Sequence, residues 1–285
     1  MSAADALPIL DHIVILVSVE SLQKLPKQLE NALTVIDGGS HADGLTLNKL
    51  IIFRDGSYIE LIAFRDNLDP ERRHGHRWGS LKEGAIIDWA YTLADEKAFP
   101  AVQKRVEEAS PETGVRYQDP VAGGRRRPDG AELKWAVSSA QDASHKPLWP
   151  GTAPFWCLDR TPRHLRVPYR DEETGVALPH TTHASGALGI SQVFISVPEK
   201  EFSSTCLLYD LVHGPAIKHG SPEKAWHWTV YAGSSRGEQV VSLSASPGSK
   251  ERHISLRLVG DQDSPRSIHV LPGLTLDFDN RSDGE

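Results

Sequence analysis

Disulfide chemistry has no foothold in this sequence. Its two cysteines, Cys157 and Cys206, stand far apart, each in an apolar segment, so they offer neither a disulfide framework nor a C-x-x-C site. A reducing compartment is expected. Basic charge is also scarce: 31 Lys and Arg against 38 Asp and Glu leave a net charge of −7 and a pI near 6.0. That sign argues against general affinity for nucleic acid or an anionic membrane, both of which need a field of the opposite sign. No apolar run approaches the roughly 20 residues that span a bilayer. The first twenty residues lack the basic and then apolar pattern of a secretory leader. Together these absences predict a cytoplasmic protein, with a small molecule as its partner. G-x-S-x-G, H-E-x-x-H, Walker and dinucleotide fingerprints are missing too, which removes the usual support for hydrolase, zinc-protease, nucleotide and nicotinamide readings.

What is present is an ordinary globular balance, 39% hydrophobic and 24% charged over 285 residues, enough for a core without covalent staples. Leu10 to Val17 reads as a buried strand on which Leu10, His12, Val14 and Leu16 share one face. Leu22, Leu25, Leu29 and Leu33 follow at helical spacing, with regular helix expected to begin near Pro26. A glycine-rich passage, 37–44, leads to apolar runs at 49–54 and 57–64, joined by Asp55-Gly56, a dipeptide suited to a tight turn. The order strand, helix, loop or strand, strand, strand then recurs. Residues 85–94 open it, a helix over 96–109 follows, and runs at 114–122, 131–138 and 153–158 complete it, with Pro128-Asp129-Gly130 as a turn. A third unit starts at 187–197, continues as a helix over 200–212, and ends in strands near 225–232, 239–244, 253–259 and 274–278. The expected organisation is α+β: two βαβββ modules (about 10–66 and 85–160) within 8–160, a linker or functional loop at 161–186, and a third, divergent module over 187–279.

Four motifs in order carry a family resemblance: Asp11-His12 in LDHIVILV, Gly38-Gly39-Ser40-His41, Thr46-Leu47-Asn48, and Tyr58-Ile59-Glu60-Leu61. Arg125 to Gly130 with Trp135, and the segment HASGALGI, extend it over roughly residues 10 to 190. The chain resembles the glyoxalase-like domain family of the vicinal-oxygen-chelate superfamily. The resemblance implies glyoxalase-type βαβββ modules whose curved mixed sheets enclose a pocket. In many members a divalent metal (zinc, manganese, iron or nickel would suit imidazole and carboxylate) stabilises an oxyanion in lyase, isomerase or ring-modifying chemistry.

His12 and Glu60 are the sharpest candidates, as metal ligands, as a catalytic base with its partner, or as a buried His–Glu hydrogen bond without metal. Laying the second module on the first puts Trp89 where His12 sits and Trp156 or Cys157 where Glu60 sits. In the third unit Gln192 or Ser191 and Leu256 take those places. A metal would then need His41, His183 or Asp159. His41, in its glycine-flanked loop, reads as an acid–base group, a substrate contact or a solvated histidine. Asn48 could donate to a substrate carbonyl or cap its loop. Arg125, Arg126 and Arg127 could clamp an anion or sit on a solvated hairpin tip. Trp89, Trp135, Trp156 and His183 complete the substrate-binding set, the tryptophans serving as core or as platform for an aromatic or apolar substrate. The spacings His74-x-His76 and His180-x-x-His183 suit a metal on paper only. The readings differ in class: an enzyme acting on a small oxygenated molecule, a metal-free protein that sequesters one, or a scaffold that pairs as a homodimer.

Overall fold

The computed structural model describes residues 7–41, 43–126, 130–214, 216, 225–231 and 238–279. The first repeat runs β1 (Ile9–Leu16), α1 (Val19–Gln28), β2 (Ile36–Ser40), β3 (Thr46–Ile52) and β4 (Tyr58–Phe64), followed by a short α2 (Pro70–His74). Ser18 caps α1 by accepting from the Ser21 amide, so the helix starts at Val19 and Pro26 falls inside its last stretch rather than at its beginning. The turn between β3 and β4 places Gly56 at φ +86°, a conformation that favours glycine. The second repeat comprises β5 (Ala85–Thr92), α3 (Phe99–Glu108), α4 (Ser110–Thr113), β6 (Arg116–Tyr117), β7 (Val121–Arg126), β8 (Glu132–Ser138), β9 (Ala140–Gln141) and β10 (Phe155–Asp159). The run expected at 114–122 is thus split between β6, which pairs only with β9, and the start of β7.

Strand pairing makes the repeat explicit. β1 lies parallel to β4, β4 antiparallel to β3, and β3 antiparallel to β2; β5 lies parallel to β10, β10 antiparallel to β8, and β8 antiparallel to β7. The two halves join through antiparallel β1 and β5, giving the order β2-β3-β4-β1-β5-β10-β8-β7. The ends of this sheet curl toward each other, since the Arg125 guanidinium on β7 donates to the Gly38 carbonyl on β2.

A one-residue irregularity decides which side chains meet in that curl. Leu10 pairs with Tyr91 and His12 with Ala90, so Asp11 is an extra residue in β1. The bulge turns Leu10 away from His12: Leu10, Ile13 and Ile15 enter the large core under the helices, while Val14 and Leu16 lie in a second cluster with Phe155 and Cys157. A second register shift at Val14/Ile15 acts on β5, where Trp89 joins the large core and Ala90 the second cluster.

After α5 (Arg163–Arg166), the chain forms β11 (Ala187–Pro198), α6 (Glu199–His213), β12 (Ala225–Tyr231), β13 (Glu238–Ser246), β14 (His253–Gly260), β15 (Ser267–Leu271) and β16 (Leu274–Asp279). β11 lies parallel to β13 and antiparallel to β14, and β14 lies parallel to β16, which repeats the pairing around β1 and β5. Among the described residues, 187–279 therefore hold two reduced units, βαββ and βββ, where one module was expected. β15 escaped the sequence reading because its alternation, SIHVL, is too short to stand out. β12 joins β1 by a single pairing, and Asp55 accepts from the Ile190 amide and Gln239 to tie the two sheet regions together.

Candidate active site

Both halves of the curl supply the walls of a cavity of about 460 Å3. β1 and β4 contribute His12, Tyr58 and Glu60; β3 contributes Asn48 and Leu50; β7, β8 and β10 contribute Arg125, Trp135, Phe155 and Cys157. The chain after α2 adds His76, Arg77 and Trp78, and the loop after β2 adds His41 and Asp43. The bulge at Asp11 explains why a histidine in a run of leucines reaches this space.

His12 is held on every side. Its ring stacks on Tyr58 (centroids 4.6 Å apart, planes 21° apart) and meets Phe155 edge-on at 5.3 Å. Nδ1 lies 2.7 Å from Oδ2 of Asp11, and Nε2 faces Glu60 Oε2 at 3.6 Å. A carboxylate accepts and does not donate, so Asp11 favours a proton on Nδ1, while Nε2 is the ring nitrogen turned to Glu60 and the cavity. Asp11 itself is fully buried. Burial opposes its charge, but the Arg163 and Arg166 guanidiniums outweigh it and hold the carboxyl well below the usual range. Arg166 bonds both Asp11 oxygens (2.9 and 3.0 Å), Asp159 and the Tyr58 hydroxyl.

Glu60 accepts from Asn48 Nδ2 at 2.5 Å, and its Oε1 lies 3.5 Å from His41 Nε2. Asn48 fits because Gly38 leaves it room: a Cβ there would come within 2.1 Å of Oδ1. His41 Nδ1 meets the Thr46 hydroxyl at 2.7 Å. Glu60 is thus bracketed by two imidazoles, His12 toward one oxygen and His41 toward the other.

Of the residues expected from sequence, His12, His41, Asn48, Glu60, Arg125 and Trp135 converge here. Trp89 and Trp156 do not: both are fully buried in the large core, on the far side of their strands, because Ala90 is the residue paired with His12 and alternation presents Phe155 and Cys157 instead. His183 is also elsewhere. It accepts from the Thr34 amide and meets the Ile52 carbonyl, pinning the start of the third repeat to the first, and burial lowers its pKa to about 4. Arg127 and the side chain of Arg126 lie outside the described residues, and Arg125 spans the seam to Gly38. His74 meets Ser80 and His180 the Pro168 carbonyl, so neither histidine spacing forms a cluster. Sequence reasoning missed Asp11, Arg166, Tyr58, Trp78 and Phe155. The one available signal was Asp11 beside His12, since the arginines come from a stretch without periodicity.

The register also answers the question of a metal. His12 pairs with Ala90 across the centre and with Tyr58 alongside, while Ala90 pairs with Phe155. The counterparts of His12 and Glu60 in the second repeat are therefore Ala90 and Cys157, and the Cys157 thiol is pushed up by burial. In the third, Gln192 pairs with Val240, so Ser242, not Leu256, matches Glu60; in the fourth, the matching residues are Arg257 and Asp279. Asp159 is committed to Arg166. Among the described residues, no group of three or more His, Cys, Asp or Glu side chains is arranged to hold a metal. His12 and Glu60 supply two donors, and His41 addresses the other oxygen of Glu60, so the set does not fit a resident divalent ion.

Among the described residues, no helix is long and apolar enough to cross a membrane. A hypothetical protein from Staphylococcus aureus is similar over 96% of this chain and 99% of its own, with 16% identity and a TM-score of 0.66. A xylose isomerase-like TIM barrel/4-hydroxyphenylpyruvate dioxygenase fusion protein is similar over 90% of this chain and 37% of its own, with 15% identity and a TM-score of 0.50. The Mn(II)-bound glyoxalase from Novosphingobium aromaticivorans is similar over 90% and 66%, with 10% identity and a TM-score of 0.46. At such identities the likeness is one of fold. No curated protein matches the sequence. Residues 10–208 match the family described as the glyoxalase-like domain, a span that takes in both full repeats and the opening strand and most of the helix of the third. The chain, with its paired βαβββ repeats around one cavity, belongs to the glyoxalase-like domain family.

Proposed function

We propose that this chain is an enzyme that moves a proton on a small oxygenated molecule, in a lyase or isomerase reaction, with His12 as general base. The observation that carries this reading is the orientation of His12: Asp11 lies 2.7 Å from Nδ1, and Nε2 is turned to Glu60 and the cavity. That is the arrangement a base needs before it can take a proton from a bound molecule. The imidazolium formed would lie between the carboxylates of Asp11 and Glu60, while Asn48 and His41 hold Glu60 in place. Trp78, Phe155 and Trp135 form the apolar walls, so the substrate pairs an oxygen-bearing end near His12 with an apolar or aromatic remainder.

The test is exchange of carbon-bound hydrogen. Small 2-oxo and 2-hydroxy carbonyl compounds, with and without an aromatic substituent, are incubated with the protein in D2O and followed by NMR. Deuterium incorporation beside the carbonyl is expected, falling about 10²- to 10⁴-fold in His12→Gln. Binding of a compound without exchange, equal in wild type and His12→Gln, would sink the catalytic reading. It would favour a protein that sequesters its ligand, the alternative that the aromatic walls support.

A further inference from the structure

The connection between the second and third repeats runs over the back of the cavity, and one turn of it enters the site. Arg166, on α5, is buried, lines the cavity, and reaches Asp11, Asp159 and the Tyr58 hydroxyl together. Arg163, one turn earlier, donates to Asp11 and, at 2.9 Å, to the Gly56 carbonyl in the β3–β4 turn. Tyr58 in turn stacks on the His12 ring. Two of the contacts that fix the imidazole, the carboxylate on Nδ1 and the ring stacked on it, therefore end on the same guanidinium. Two arginines three apart on a helix share a face, which allows them to address one carboxylate. A bidentate guanidinium also fixes a carboxylate's plane as a lysine ammonium does not.

We infer that Arg166, assisted by Arg163, is a positioning residue of the site: through Asp11 and Tyr58 it sets the ring orientation and the tautomer of His12. The connection 161–186 is on this account a working part of the active centre. A charge cluster that merely stapled the connection down would add stability and leave the imidazole indifferent to it.

The role of His12 as base rests on the function proposed above; the tautomer does not, and it is what the experiment reads. In the full chain labelled with 15N-histidine, His12 is assigned by its loss in His12→Gln. Wild type is expected to show one neutral tautomer, protonated on Nδ1. In the variant carrying Arg163→Met and Arg166→Met the ring is expected to shift toward the Nε2-protonated form that free imidazole prefers. Arg166→Lys, the milder change, is expected to give an intermediate mixture. A wild-type ring protonated on Nε2 overturns the inference, as does a folded arginine variant, of lowered melting temperature, whose His12 tautomer is unchanged. If the tautomer shifts as expected but His12→Gln leaves exchange intact, the catalytic reading fails and the positioning role stands.

Discussion

Arg125 and Gly38 sit on the two strands at opposite ends of the curled sheet, and the hydrogen bond from the guanidinium to the carbonyl oxygen closes the seam between them. Arg125, which also lines the cavity, thus ties its two walls together. Arg125→Met removes a charge-assisted bond worth about 1.5–3 kcal/mol. Release of a bound ligand is expected to quicken by on the order of tenfold or more, the rate equivalent of about 1.4 kcal/mol. Stopped-flow dissociation of any compound found in the exchange screen measures it, and an unchanged rate would remove the seam from the account of ligand access.

Asp11 governs the acid limb of stability. Its carboxyl is held below the usual range in the folded chain, so the folded state binds its proton more weakly than the unfolded one. The stabilisation is fully present above the unfolded value, about 3.9, and is lost as pH falls through the lower folded value. Asp11→Asn is expected to cost about 3–5 kcal/mol at neutral pH, because the buried Arg166 and the partly buried Arg163 lose one of their two counter-charges and keep Asp159 alone. It is also expected to flatten the decline below about pH 4. Urea unfolding from pH 7 to 3 compares the two slopes; parallel curves would mean that other carboxylates set the acid limb.

The tryptophans separate core from cavity. Trp156→Ala is expected to destabilise by about 3–5 kcal/mol, since it empties a fully buried site. Trp135, half-buried on the cavity wall, is expected to cost roughly 1 kcal/mol as alanine while weakening ligand binding. Equal losses of stability in both would contradict the division of faces described above.

Much of the architecture was legible because apolar periodicity is strong where β1, β4, β5, α3 and α6 lie, and because the Asp-Gly turn announces its hairpin. The site was legible where a polar residue interrupts a buried strand, as at His12 and Glu60. It was not legible where backbone irregularity decides the face. Trp89 pairs with Ile13 and so takes its core face, while Ala90 pairs with His12, and no side-chain pattern records that pairing. Long-range pairing is equally silent: Arg166 meets Asp11 across 155 positions, from a segment whose composition reads as loop.

Metal dependence has a direct check. With His12 and Glu60 as the two donors, His41 on the other oxygen of Glu60, and no group of three arranged for a metal among the described residues, untagged protein is expected to carry well under one equivalent of divalent metal. A chelator is expected to leave the melting temperature unchanged. A tightly held ion would instead contribute RT ln(1 + [L]/Kd) of stability that the chelator takes away. A stoichiometric ion whose removal lowers the melting temperature would show that the donors rearrange around it.

The extra residue at Asp11 has a twin. β11 shifts register between Ile190 and Gln192 just as β1 does between Leu10 and His12, and Ser191, in the place of Asp11, is buried with its hydroxyl unpartnered. Gln192 and Ser242, matching His12 and Glu60, bond each other. The kink in the strand is thus common to both repeats, while the acid, imidazole and carboxylate that it serves stand in the first. In the third repeat it presents Gln192 to Ser242, whose hydroxyl also meets His227 at 2.7 Å, so the same backbone device closes into a polar contact where the first repeat opens a cavity.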